Sequence, residues 1–508
     1  MTSRLLLKVV SNCAASSLPL LTNRCRGFAH RLSRWSHTYA STLHTQQEPF
    51  HPIPNKYPVW LNADQVFDKL LDSNQKIFIH GGAATPAHLI ERMVEAGKRR
   101  QLSNIGLIHI HTEGEAPYNE PDCDGIFRSN SLFTSSNCRS AIQAGRADFT
   151  PIFLSEIPLL FRRGFVQLDV ALIMVTPPDR HGFCSLGPSV DCTRAAIQNA
   201  RYIVAQVNPK LPRTRGDASI HCSHIDCMVH MPQPMHELAG REINPEEQKI
   251  GKLIADNLVA NGATLQTGIG SIPDAVLGSL TEHKELGVHT EMFSDGVVDL
   301  TEAGAITNSR KKIKPGKIVT GFVIGTNKVF NFIDDNAMVE LCDIQFVNQV
   351  SVINLNPRVT AINSCIEIDL TGQVVSDSIG SRIYSGVGGQ MDFIRGAALS
   401  TDGLGVPIIA LQSATKKGGS KIVPFIKEDP QSQLKLITKL IHSTVPGAGV
   451  VTTRAHVHYV VTEYGIAQLW GKNLRQRAHH LVQIAHPDHR EALEKAAYER
   501  LGCMPSAD

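Results

Sequence analysis

The chain reads as an α/β protein made of two similar open α/β domains with mainly parallel sheets. Three observations predict this. At 508 residues it is longer than a single hydrophobic core supports, so two domains are expected. Short apolar runs alternate with helical stretches, the pattern of parallel strands joined by crossover helices. The two halves also repeat each other. Setting Pro86 against Pro273 aligns Gly81 with Gly268, Leu89 with Val276 and Ile90 with Leu277, each 187 residues apart. His111-Thr112-Glu113 then matches His289-Thr290-Glu291 after a gap. In both halves a glycine turn, a helix and an apolar strand ending in His-Thr-Glu follow in that order. Duplication of one α/β unit accounts for this, and it leaves two candidate glutamates.

The first 47 residues stand apart. They hold Arg4, Lys8, Arg24, Arg26, Arg31 and Arg34, many Ser and Thr, and no acid before Glu48. An acid-free, Arg- and Ser-rich start of this kind reads as a mitochondrial transit peptide, which places the protein in the matrix; a disordered leader without a targeting role is the plainer alternative. Removing its six basic residues takes the formal charge from +3 to −3, so the basic balance belongs to the leader and no nucleic-acid partner is expected. Eleven cysteines include Cys13 and Cys25 of the leader, and the remaining odd number without paired spacing reads as free thiols. No apolar run approaches eighteen residues, so no membrane partner is expected.

Three segments follow: the leader (1–47), an N-terminal α/β domain (48–235) and a C-terminal one (236–508) carrying the candidate glutamate Glu291. In the first domain a helix spans Ala63–Leu71, and the strand Lys76–His80 runs into the turn Gly81–Pro86. A helix then continues to Ala96, with Gly97 as its stop. Strands are expected at Ile105–His111, Val170–Val175, Tyr202–Val207 and Ile225–His230. Met231 to Pro245, rich in proline at its start, is the linker. Asn244 then caps a helix whose first residue is Pro245, with Ile250, Leu253, Ile254 and Leu258 on one face. Further strands are expected near Lys317–Val323, Val350–Ile353, Val406–Ala410 and Val457–Val461.

The turn at Gly268-Ile269-Gly270 precedes a helix with Ser271 as candidate cap. A dinucleotide fingerprint needs a third glycine where Pro273 stands, and no Gly-Lys-Ser/Thr follows, so neither nucleotide motif fits. What remains is either a plain structural turn or an anion site made of helix N-terminal N–H groups. Glu291 reads as a solvated turn residue or, among Val288, Met292 and Phe293, as a desolvated and reactive carboxylate. The run Ser385-Gly-Val-Gly-Gly389 lets backbone approach a ligand or another strand closely. Lys416, Lys417 and Lys421, set around two glycines, suit a phosphate-bearing ligand or a mobile basic loop. The His and Cys residues of 221–230 fit no ordered zinc spacing and would point to both faces of a strand, so no metal is expected. No Gly-x-Ser-x-Gly elbow is present for a serine hydrolase.

These stretches carry a family resemblance. HTEGEAPY (111–118), GRADFTPIFLSEIP (145–158), PPDRHGFCSLGPSVD (177–191), VNPKLPRTRGD (207–217), QTGIGSIPDAV (266–276), HTEMFSDG (289–296), SGVGGQMDF (385–393), ATKKGGSKIVP (414–424) and EYGIAQLWGK (463–472) together cover roughly residues 55–500. The chain resembles the acetyl-CoA hydrolase/transferase family of class I CoA-transferases, most closely its 4-hydroxybutyrate and butyrate:acetate branch. The resemblance implies a NagB/RpiA-like CoA-transferase fold. It implies Glu291 as nucleophile, with the backbone N–H groups of Ile269 and Gly389 as oxyanion donors. It places coenzyme A against Gln266, Thr267, Gly268, Ile269, Gly270, Asn363, Gly388, Gly389 and Lys417. It also implies transfer of CoA between a short acyl-CoA and a carboxylic acid such as acetate or 4-hydroxybutyrate, through a glutamyl-CoA thioester. Hydrolysis of a short acyl-CoA through the same intermediate is the alternative, and a non-catalytic CoA-binding protein the remote one. The expected partners are acyl-CoA and short carboxylic acids, with a homodimer as a further expectation; beyond CoA as substrate no cofactor is expected.

Overall fold

A computed structural model describes residues 48–426 and 448–508. The predicted leader, with Cys13 and Cys25, lies outside the described residues. Two eight-stranded sheets carry the architecture. Read from one edge, the first runs Asp148–Phe149, Phe127–Ser131, Ile105–His109, Lys76–Ile79, Leu168–Val175, Ala200–Val207, Cys227–His230 and Val59–Trp60. The second runs Val339–Leu341, Ile318–Val323, Gly287–Phe293, Thr264–Thr267, Val359–Ser364, Val406–Ala410, Tyr459–Thr462 and Gly465–Gln468. The first seven places of the two sheets are filled in the same chain order, and every neighbouring pair among them is parallel. The repeat seen in sequence is therefore a repeat of topology. Only the last place differs: Val59–Trp60 adds in parallel, whereas Gly465–Gln468 folds back antiparallel on Tyr459–Thr462.

The apolar content explains the layering. Leu168–Val175 and Ala200–Val207 are almost wholly buried, as parallel strands covered by helices on both faces must be. Helix caps follow the residues that favour them. Asn244 accepts from the Glu247 N–H while the Glu247 side chain accepts from the Asn244 N–H, a reciprocal capping box with Pro245 at the first position. Asn62 and Asn473 do the same for Ala63–Leu70 and Leu474–Gln483. Among the described residues the nine cysteines are all free thiols. No described helix is long and apolar enough to cross a membrane.

Three local expectations need correction. Gly97 does not stop its helix, which runs Ala87–Arg99; a Cβ there would sit 2.5 Å from the Phe127 ring, so the glycine serves close packing of helix on sheet. Val350–Ile353 is a short helix, because four apolar residues carry too little periodicity to separate strand from helix. Ser271 does not cap its helix. Gly270, at φ 120°, holds the N-cap position, and the Ser271 hydroxyl donates instead to Glu247 at 2.5 Å.

The two halves meet through backbone and side chains alike. Val190 and Asp191 donate N–H bonds to Gly321, Asp217 donates to Leu341, and Leu154 donates to Gly388. Arg162 adds an ion pair to Asp343 at 2.5 Å with a bond to Gln345. The helix Pro245–Leu258 lies against Ser271–Gly278 so closely that a Cβ on Gly251 would stand 2.6 Å from the Ala275 carbonyl. Gly251→Ala should therefore destabilise by about 1–3 kcal/mol through overpacking, although alanine in an isolated helix would be favoured by about 1 kcal/mol. Thermal unfolding checks this; an unchanged or raised midpoint would show that the helices are not in that contact.

Candidate active site

The strand Gly287–Phe293 lies between Thr264–Thr267 and Ile318–Val323 and brings Glu291 toward its C-terminal end. Thr290 ties this strand to the glycine turn, its hydroxyl accepting from the Thr267 N–H and donating to the Thr267 carbonyl. The strand register thus sets Gly268-Ile269-Gly270 beside Glu291. At Gly268 and Gly270 an added Cβ would meet nothing within 4 Å, so the turn faces open space, and Ile269 is 44% exposed. An uncovered glycine turn at a helix start is open to a ligand's oxygen.

Glu291 keeps some accessible surface although protein crowds it closely. Its partners are neutral or acidic. Asn348 Nδ2 donates to Glu291 Oε2 and to Asp392 Oδ2, each at 3.3 Å, so one amide nitrogen bridges two carboxylates. The Gly389 N–H also donates to Glu291. A Cβ on Gly389 would overlap both Glu291 and Asn348, so only glycine fits there. Asp392 is in turn held from the first domain, by the Ser155 hydroxyl at 2.8 Å and its N–H at 3.2 Å. Burial pushes the Glu291 carboxyl up to about 7; the Asp392 charge adds to the rise, while Asn348 and Gly389 oppose it. Burial likewise pushes Asp392 up to about 6 against its bonds to Ser155 and Asn348.

The other predicted contacts spread along the same rim. Gln266 and Asn363 pair reciprocally, Asn363 Nδ2 donating to Gln266 Oε1 at 2.9 Å, and both are buried. Asn363 thus supports the strand ends beside the turn, while the asparagine on Glu291 is Asn348. Gly388, at φ 60°, pairs with Phe153 and so joins the glycine run to the first domain. Lys417 is exposed in the loop after Val406–Ala410. Asn348, Asp392 and Ser155 were not singled out from sequence. Asp392, three residues past Gly389, and Ser155 both lie within the motifs SGVGGQMDF and GRADFTPIFLSEIP, which was the available signal for them; Asn348 lies in none.

The counterpart Glu113 sits in a different environment. His111 Nε2 lies 2.7 Å from Glu113 Oε1, and the Glu113 N–H donates to Thr85. Burial would raise its pKa, but the bond and charge of His111, with His236, leave it below the ordinary value. In the second half the matching histidine turns away from its glutamate. His289 is buried between Phe346 and Phe393 with Nε2 on the Val347 carbonyl, and burial with the Lys311 charge pushes its pKa down to about 3. The same three-residue motif therefore yields a carboxylate bonded to its own histidine in one half and one without that bond in the other.

A two-domain α/β chain with a carboxylate nucleophile candidate between a glycine turn and a glycine run is the class that the fold and site define. The family models for the acetyl-CoA hydrolase/transferase N-terminal domain and C-terminal domain match residues 54–236 and residues 325–437 and 430–497 respectively. The chain belongs to the acetyl-CoA hydrolase/transferase family. It is 64% identical to a succinyl-CoA:acetate/propanoyl-CoA:succinate CoA transferase of Fasciola hepatica, over 91% of this chain and 92% of that one. It is 42% identical to a 4-hydroxybutyrate coenzyme A transferase of Clostridium kluyveri, over 85% and 96%. A solved 4-hydroxybutyrate CoA-transferase from Porphyromonas gingivalis matches its fold with TM-score 0.70 at 35% identity, covering 87% of this chain and 98% of that one.

The raised carboxyl has a sign that can be checked. The folded chain holds the Glu291 proton to about pH 7, whereas the ordinary value is 4.5. Stability should therefore fall between these values on account of this group, and stay lowered above. Glu291→Gln should be more stable than the parent above pH 7 by at most about 3 kcal/mol, with the difference vanishing below pH 4.5. Denaturant titration across that range measures it. Asp392→Asn, which removes the neighbouring like charge, should lower the Glu291 midpoint read from the same denaturant titrations across pH.

Proposed function

We propose that the chain is a CoA-transferase that moves CoA between a short acyl-CoA and a carboxylic acid, with Glu291 as the nucleophile. The observation that carries this is the cation-free carboxylate, held by one amide and one backbone N–H beside an open glycine turn. A carboxylate bonded to its own histidine, as Glu113 is, has a lone pair already engaged and is the poorer nucleophile. Glu291 attacks the thioester carbonyl, forming a mixed glutamyl anhydride and expelling CoA thiolate. The thiolate adds to the glutamyl carbonyl, releasing the first acid and leaving a glutamyl-CoA thioester. An incoming carboxylate attacks that thioester to give the second anhydride and thiolate, and the thiolate then takes the new acyl group, restoring Glu291. No net proton or electron is exchanged. Each addition builds an oxyanion, for which the N–H groups of Ile269 and Gly389 are the proposed donors, each worth about 3 kcal/mol.

The substrates are taken to be acyl-CoA and short acids of the acetate or 4-hydroxybutyrate kind. The names of the relatives, which include succinate and propanoyl-CoA as well as 4-hydroxybutyrate, support that class. Gln266, Thr267, Gly268, Gly270, Asn363, Gly388 and Lys417 are proposed to line the CoA path, the buried Gln266–Asn363 pair acting by fixing the strand ends. The leader composition supports a mitochondrial matrix location with the leader as a transit peptide; the domain division at residue 235, read from the linker Met231 to Pro245, and a homodimer are retained as part of this reading. Hydrolysis is the rival that the family itself contains.

Intact-protein mass after mixing with acetyl-CoA tests the assignment. A covalent CoA adduct and turnover should vanish in Glu291→Ala, with activity down about 10³-fold or more, and persist in Glu113→Ala. Loss of the adduct only in Glu113→Ala would reverse the choice of halves. Acyl-CoA consumption that proceeds at full rate without any acceptor acid would select the hydrolase.

A further inference from the structure

The strands Gly287–Phe293, Thr264–Thr267, Val359–Ser364, Val406–Ala410 and Tyr459–Thr462 are successive parallel neighbours, so their C-terminal ends form one rim. Along it stand Glu291, the Gly268 turn, Ser364, the basic loop after Leu411, and Tyr464. At about 4.8 Å per strand, the basic loop lies roughly 14 Å and Tyr464 roughly 19 Å from the strand of Glu291. The arm of CoA from sulfur to the first phosphorus is an amide chain of about thirteen bonds, and at roughly 1.2 Å per bond it spans about 16 Å when extended. A thiol placed at Glu291 therefore sets the diphosphate at the basic loop and carries the adenosine beyond it, to Tyr464.

What stands there suits that end of the molecule. The Tyr464 ring is 37% exposed. Lys249 Nζ lies 5.5 Å from its centroid, the Arg490 guanidinium carbon 5.7 Å, and the His486 ring packs edge-on at 5.4 Å. Lys249 comes from the helix Pro245–Leu258 and Arg490 from the helix Pro487–Leu501, so separate elements converge on one ring. The same C-terminal helix is fastened to the basic loop, His489 Nε2 lying 2.8 Å from the Gly418 carbonyl. Among the described residues, Lys249, Arg490, Lys416 and Lys417 have no carboxylate partner; Asp488 lies 3.7 Å from His486. Arg490 is anchored through Nε to the Ala485 carbonyl at 3.0 Å, which leaves its terminal nitrogens to meet an anion. A purine can lie on an aromatic face, and a phosphomonoester dianion is the ligand that unpaired Lys and Arg groups recognise.

We infer that Tyr464, Lys249 and Arg490 form the subsite for the adenosine 3′-phosphate of CoA, with Lys416 and Lys417 meeting the diphosphate on the way. The inference rests on the transferase reading for the presence of CoA, and it adds a division of labour. The subsite holds the end of CoA remote from the chemistry, so that its binding energy is available for positioning the thioester.

Calorimetric binding of CoA and of 3′-dephospho-CoA to the full chain tests this. The parent should bind CoA about tenfold more tightly than the dephospho form, the worth of one charge-assisted contact. Lys249→Gln, at an exposed position, and Arg490→Gln should each weaken CoA severalfold while leaving dephospho-CoA unchanged. Tyr464→Ala should weaken both forms about equally, by about tenfold. Equal affinity of the parent for the two forms, or equal losses in the two charge variants, would overturn the subsite. The Glu291 adduct keeps the two proposals separate. A chain that forms the adduct without discriminating the 3′-phosphate overturns the subsite alone, and one that discriminates but forms no adduct supports the subsite and overturns the nucleophile.

Discussion

Glu291 is a carboxylate taken largely out of water with no cation beside it, and much of the second domain meets that constraint. Removing water without adding a positive charge leaves the ionised form short of stabilisation, which burial and Asp392 express as a pKa pushed up to about 7. The protein limits the cost with two neutral donors, the Asn348 amide and the Gly389 N–H. Each requires something further of the chain. Asn348 must reach two carboxylates at once, and residue 389 must have no side chain at all. The second carboxylate must be steadied from outside, which is what Ser155 of the first domain does.

The duplicated topology shows how little is needed to give two matching glutamates different surroundings. Both sheets fill their first seven places in the same order, and both end corresponding strands with His-Thr-Glu. The difference lies in which way the histidine faces. His111 turns to Glu113 and pairs with it; His289 is drawn beneath the strand by the Val347 carbonyl and the rings of Phe346 and Phe393. Its slot keeps the second histidine from bonding the second glutamate.

The sequence made the layers readable because buried parallel strands leave apolar runs, and because repeats, caps and glycine turns are local signals. Asn244 with Pro245, and the paired glycine turns, needed only a few residues each. Glu291 was nominated by its neighbours and selected by family resemblance. What was illegible was non-local. Asn348 lies 57 residues from Glu291 and 44 from Asp392, and Ser155 lies 237 from Asp392. Asn348 also ends the Ile344–Val347 helix just before the segment wrongly expected to be a strand. No spacing rule connects residues that only the folding of the second domain, and for Ser155 its docking on the first, brings together. Gly97 failed for a related reason: glycine ends helices and also admits close neighbours, and only the position of Phe127 decides between the two.

Part of the seam between the halves is stitched by main-chain bonds, from Val190 and Asp191 to Gly321, Asp217 to Leu341 and Leu154 to Gly388. A peptide group is the same whatever side chain it carries, so such a seam places few demands on residue identity. The two halves can then differ almost completely in sequence while remaining docked in one register. That accounts for the narrow band of likeness that survives between them, confined to the glycine turns, the helix that follows and the His-Thr-Glu ends. It also makes the first copy a permanent splint for the second, since a change of register at Leu154 would carry Gly388 and Gly389 away from the group they hold.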